Sequence, residues 1–91
     1  MANIKIRRQH GLGRDLARRK VEEIANSLQE KLNAKWSWSG DTLNFKRSGA
    51  SGSVDVGDDY VEFNIQLGML FTPMKGSVEN AILKKLDQTL G

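Results

Sequence analysis

His10 is the sole histidine of this 91-residue chain, and it stands beside Gly11. An imidazole is the commonest general base. A lone His, however, makes neither a zinc site nor a catalytic triad. Two adjacent carboxylate pairs, Glu22/Glu23 and Asp58/Asp59, are the other acid–base candidates. The first pair falls on the polar side of a helical pattern and the second in a turn, so both read as solvated surface. The chain has no cysteine, which excludes disulfides, thiolate metal ligands and Cys nucleophiles. His10-Gly11-Leu12-Gly13-Arg14 has the outline of a phosphate loop. It lacks the third glycine and the Gly-Lys-Ser/Thr ending, so the glycines read as a sharp strand-to-helix turn. No catalytic set, metal or cofactor is expected, and the chain reads as a non-enzyme.

The remaining chemistry is that of contact. Half of the 14 basic residues lie within the first twenty positions, with Asp15 the one acid among them. Arg7, Arg8, Arg14, Arg18 and Arg19 form the candidate anion-binding surface, for nucleic acid or another anionic partner. The competing reading is a solvated helix face beside a charge-protected edge strand. Glu22 and Glu23 stand at helical spacing to pair with Arg18, Arg19 and Lys20. Trp36, Trp38, Phe45 and Phe63 could stack bases, but their spacing places them in the core. Leu70, Phe71, Pro73 and Met74 form the candidate apolar contact surface. Strict alternation fails there: either the strand ends and the chain turns inward, or an apolar patch stays exposed. The inward turn is the expectation.

The elements that position these residues follow from periodicity. Asn3–Gln9 alternates as a first strand, with Ile4 and Ile6 on one face. Ala17, Val21, Ile24, Ala25, Leu28 and Leu32 make one stripe of a helix from Arg14 to Asn33, where Asn33 is a left-handed stop. Lys35–Ser39 and Thr42–Arg47 flank Gly40-Asp41, a two-residue hairpin turn with both central residues expected at positive φ. Ser48–Gly52 reads as a turn, Ser53–Val56 as a short strand and Tyr60–Met69 as the longest strand. Thr72-Pro73 suits a cap and first helical position, with Gly76-Ser77 a later alternative start. Val78, Ala81, Ile82, Leu86 and Leu90 form the last stripe. The predicted class is α+β, ordered β-α-β-β-β-β-α. A curved antiparallel five-stranded sheet in order 2-3-4-5-1 carries both helices on one face.

Length bounds the chain to a single domain, residues 1–91. Composition is 38% hydrophobic and 27% charged, which is globular. No apolar run reaches membrane-spanning length, and the basic start lacks the apolar segment of a secretory signal. A cytoplasmic location is the simplest expectation. An exposed edge strand could pair with a symmetry mate.

Three stretches carry a family resemblance. They are Ile4–Leu12, the hairpin Trp36–Phe45, and Leu67–Leu86 with its Leu70, Pro73, Lys75-Gly76 and Glu79. In this order, and over nearly the full length, the chain resembles the polyhydroxyalkanoic acid system family of small bacterial proteins. The resemblance implies a role in polyester storage, with a polyester granule or granule protein as partner. It supplies no catalytic residues. Beside it stands a variant in which a small apolar ligand lies between the sheet and the last helix.

Overall fold

The computed structural model describes residues 2–89. Five strands and two helices follow in the expected order: β1 (Ala2–Gln9), α1 (Arg14–Leu32), β2 (Lys35–Ser39), β3 (Thr42–Arg47), β4 (Ala50–Val56), β5 (Tyr60–Leu67) and α2 (Lys75–Thr89). A 3-10 segment, Met69–Met74, joins β5 to α2. Every strand pairing is antiparallel, and the sheet order is β1-β5-β4-β3-β2. This is the predicted order read from its other edge. β1 and β2 run in the same direction at opposite edges, and α1 is the crossover between them.

Alternation decides which face is covered. Ile4 and Ile6 on β1, Leu43 and Phe45 on β3, Val54 and Val56 on β4, and Val61, Phe63, Ile65 and Leu67 on β5 are all buried. The opposite face carries Lys5, Asn44, Lys46, Ser53, Asn64 and Gln66, so it stays wet. Each helix contributes its apolar stripe to the same core. All six predicted stripe residues of α1 are buried, as are Val78, Ile82 and Leu86 of α2. Leu90 lies outside the described residues. α1 lies against β2 and β4, while α2 lies against β1. Asn33 ends α1 at φ 56° and ψ 39°, the left-handed stop that its position predicts.

Phe63 is fully buried on the central part of β5. Its register neighbours are Ile6 and Val54, and Val54 in turn faces Leu43. Such a row is worth a few kcal/mol per large side chain, about 1.5–3 each. One rung of the apolar face lacks a side chain. Gly52 stands between Phe45 and Ile65, and the Phe45 ring fills the space above it.

The structure departs from the sequence reading at several points. β4 begins at Ala50, so the preceding turn is only Ser48-Gly49, and Gly52 is a strand residue on which a ring rests. In the hairpin turn only Gly40 has positive φ, at 61°. That fits a turn whose first central residue alone is left-handed, with Asp41 in an ordinary conformation. β5 stops at Leu67, two residues early. Pro73 lies inside the 3-10 segment, and α2 starts at Lys75.

Gly52→Ala is expected to destabilise the fold. The new Cβ would stand 2.6 Å from Phe45 Cζ and 2.7 Å from the Asn64 carbonyl oxygen. Overpacking of this kind costs about 1–3 kcal/mol, roughly 4–8 °C of melting temperature per kcal/mol at this size. Gly11→Ala, which meets nothing within 4 Å, serves as the control. Thermal unfolding that failed to separate the two variants would contradict the proposed packing.

Candidate functional site

The period of the chain changes at Gly68, and that change builds the site. Up to Leu67 the side chains alternate with period two. Gly68 remains extended, and its N–H donates to the Gly49 carbonyl at 2.7 Å. The 3-10 segment then takes over, with Phe71 N–H donating to the Gly68 carbonyl at 3.0 Å. The Thr72 hydroxyl reaches the same carbonyl at 3.2 Å. In a 3-10 helix residues i and i+3 eclipse. Phe71 and Met74 therefore share the inner side and pack against the core. Leu70 and Pro73 share an outer side, and Met69 joins Thr72 on the remaining one. Met69 is 83% exposed and Leu70 88% exposed. Pro73 is exposed as well.

The predicted apolar surface is thus divided by the structure. Leu70 and Pro73 face solvent, whereas Phe71 and Met74 anchor the segment. A strand reaching Met69 would turn that side chain to the core face, in step with Leu67. It is exposed instead, because the strand has ended before it. The expected inward turn holds only for Phe71 and Met74, and an apolar tip remains outside.

Arg47 clasps this tip to the rest of the molecule. Its guanidinium lies 4.7 Å from the centroid of the Phe71 ring. Its Nη1 donates to the Leu32 carbonyl at 2.8 Å, at the end of α1, and its Nε donates to the Ser48 carbonyl at 2.9 Å. One side chain thereby joins the helix terminus, the β3–β4 turn and the tip. Sequence reasoning missed it. The sole local signal is its place at the end of a strand before a tight turn, which does not distinguish a clasp from a solvated arginine.

The five arginines of the predicted anion surface do not converge. Arg7 lies on the open sheet face, 4.3 Å from the Tyr60 ring centroid and 3.5 Å from Glu62. Arg8 lies on the helix side and pairs with Asp87 at 2.8 Å. Arg14 pairs with Asp41 at 2.8 Å and Asp58 at 3.3 Å. Arg18 stands 3.6 Å from Asp41 and 4.3 Å from the Trp38 ring centroid. Arg19 is exposed on α1. Four of these five guanidiniums therefore face a carboxylate drawn from elsewhere in the sequence.

The other candidates also acquire places. His10 is 9% exposed, and its Nδ1 accepts the Leu12 N–H at 3.2 Å. Its Nε2 is buried without a hydrogen-bond partner among the described residues. Glu22 is not merely solvated: the Trp38 indole N–H donates to it at 2.6 Å. Glu23 pairs with Lys20 at 3.6 Å, one of the helical pairs anticipated. Phe45 and Phe63 are buried, while Trp36 and Trp38 are half-buried along the flank of α1. A groove of about 490 Å³ runs between α1 and α2, edged by Lys31, Lys84 and Lys85 over Ile24, Leu28 and Ile82. It lies between the helices, whereas the sequence had suggested a groove between the sheet and the last helix.

Fold and tip together define a two-layer α+β protein, with one wet sheet face and one exposed apolar corner. Residues 4–90 match the family model described as "Putative polyhydroxyalkanoic acid system protein", and the chain belongs to that family. No curated protein and no solved structure matches the chain significantly.

Arg47→Met is expected to lower stability by about 1–2 kcal/mol, through the lost carbonyl bonds and ring contact. Arg47→Lys recovers less than half of this, because a single ammonium does not span all three partners. Urea unfolding measures both variants. Wild-type stability in Arg47→Met would remove the clasp from the account.

Proposed function

We propose that the protein is a non-enzymatic accessory component of polyhydroxyalkanoate storage, located in the cytoplasm and acting at the granule surface through Met69, Leu70 and Pro73. Family membership supplies the system. The exposed pair at Met69 and Leu70 is the observation that carries the surface contact. A small domain gains nothing for its own fold by presenting two large apolar side chains to water. Held on a clasped 3-10 turn, they need little ordering on contact, so most of their burial is available for binding. A polyester surface offers the ester and alkyl groups that such side chains cover well.

The non-enzymatic reading is supported by the surroundings of the candidate groups. His10 is buried and already accepts a backbone N–H. Asp41, Asp58, Glu22 and Glu23 are engaged with cations or an indole. No helix among the described residues is long and apolar enough to cross a membrane. The alternative, nucleic-acid binding through the N-terminal basic face, gains no support from arginines that are dispersed over the fold and mostly face carboxylates already.

Purified granules provide the test. The wild-type protein is expected to co-sediment with them, and a Met69→Ser/Leu70→Ser variant to bind at least about tenfold more weakly. The variant should keep the wild-type melting temperature, since both side chains are exposed. No enrichment of the wild type over a control protein would sink the granule-surface reading. Salt-sensitive binding to a generic DNA duplex would favour the nucleic-acid reading instead.

A further inference from the structure

The two edges of the sheet are not equivalent. β1 and β2 each have one unpaired side. Which backbone groups face that side follows from the phase of the ladders. Val56 N–H donates to the Asp41 carbonyl at 3.0 Å. Bonded positions alternate in an antiparallel pair, so Leu43 and Phe45 direct their backbone groups to β4. Thr42, Asn44 and Lys46 direct theirs to β2, where Ser39, Ser37 and Lys35 are their partners. Trp36 and Trp38 therefore turn their N–H and C=O groups outward. On the other edge, His10 N–H donates to the Asp59 carbonyl at 2.9 Å. The same alternation leaves Asn3, Lys5, Arg7 and Gln9 facing outward on β1.

Charge protects only one of these edges. Self-pairing of β1 about Ile6 would set Lys5 directly against Arg7 of the copy, a destabilising opposition. β2 has no proline and no bulge, and Lys35 at its start is its only charge. Apart from Lys35 it lacks the usual devices that blunt an edge, since its remaining four residues are uncharged. We propose that β2 pairs antiparallel with β2 of a second copy about a two-fold axis at Ser37, joining the two sheets into one. In that register Trp36 opposes Trp38 of the second copy and exchanges both backbone bonds with it. Lys35 opposes Ser39, so no like charges are paired across the two strands. The helices of both copies stay on the same side of the joined sheet. The half-buried indoles, fixed by Asn26 at 3.2 Å and Glu22 at 2.6 Å, then cover one another between the two α1 helices. Cross-strand aromatic pairs are among the favourable ones. The surface involved is small, so the dimer forms at high concentration and dissociates on dilution.

A chain without cysteine makes the test direct. Ser37→Cys places two thiols on the axis in a non-hydrogen-bonded pair, with Cα atoms about 4.5 Å apart, which suits a disulfide. Ser39→Cys places its two thiols about 13 Å apart along the strand, beyond disulfide reach. Mild oxidation is expected to cross-link Ser37→Cys and not Ser39→Cys. Light scattering should show the wild-type mass rising from 10.2 kDa toward twice that value as concentration increases. Ser37→Lys, on the exposed face, should return the monomer with an unchanged melting temperature. Equal cross-linking of both cysteine variants, or a wild type that stays monomeric near millimolar concentration, overturns the proposal. Preferential cross-linking in a mixture of Lys5→Cys and Arg7→Cys chains, which oppose one another in pairing about Ile6, would place the contact on β1 and overturn it as well.

Discussion

Phe63 has no contact with water, and its neighbours on both sides are apolar rungs of the same sheet face. That face is the constraint on which everything else depends. Five strands with period-two alternation produce one apolar surface and one polar surface, and a chain of this length covers the apolar one with two helices and little to spare. α1 must leave one edge of the sheet and deliver the chain to the other, because β1 and β2 lie at opposite edges. The remaining strands then fill the interval by tight turns. α2 returns over the β1 side, opposite in direction to α1. The Phe45 ring settling on Gly52 closes the one gap in the apolar rungs, so a backbone without a Cβ is part of the core's shape.

Much of this was legible because it is written in short-range periodicity. The stripes of both helices, the hairpin and the antiparallel order all follow from spacings of two, three and four residues. Asn33 could be read because left-handed residues after a helix have few chemical options. The errors share a different origin. Gly52 resembles a turn residue in sequence, but its role is set by a ring from the adjacent strand. Met69 fits the alternation of β5, and only the 3-10 bond from the Phe71 N–H to the Gly68 carbonyl shows that the strand has ended. Arg47 and Glu22 act across 15 and 16 residues. Nothing local marks either residue, since the identical side chain would be solvated if its distant partner were absent.

Charge illustrates the same limit on a larger scale. In sequence the first twenty residues look like an anion-binding arm. In space β1 presents Arg7 and Arg8 to opposite faces, as strand alternation requires. The start of α1 places Arg14 and Arg18 beside the hairpin turn, where Asp41 lies, and Asp58 from the β4–β5 turn reaches Arg14. Each such surface pair contributes at most about 1 kcal/mol. Their collective effect is on the field: cations matched by nearby anions within a Debye length project little potential. A run of like charge in sequence becomes a patch only if the fold keeps it together, and here a strand, a turn and a helix disperse it.

The apolar tip has the opposite history, since the fold concentrates what the sequence spreads over three periodicities. A strand ends, a 3-10 segment spans six residues, and an α-helix begins. Each change of period rotates the next side chain to a new azimuth. Phe71 and Met74 fall inward three residues apart, which obliges Leu70 and Pro73 to fall outward at the same interval. Had the chain passed directly from strand to α-helix, the i, i+4 rule would have placed Leu70 and Met74 on one face, and burying Met74 would have drawn Leu70 in with it. The exposure of Leu70 is therefore a consequence of the connector's period and of the Phe71 anchor. Arg47 holds that anchor against the end of α1, so the geometry that displays the tip is coupled to the same helix that covers the sheet.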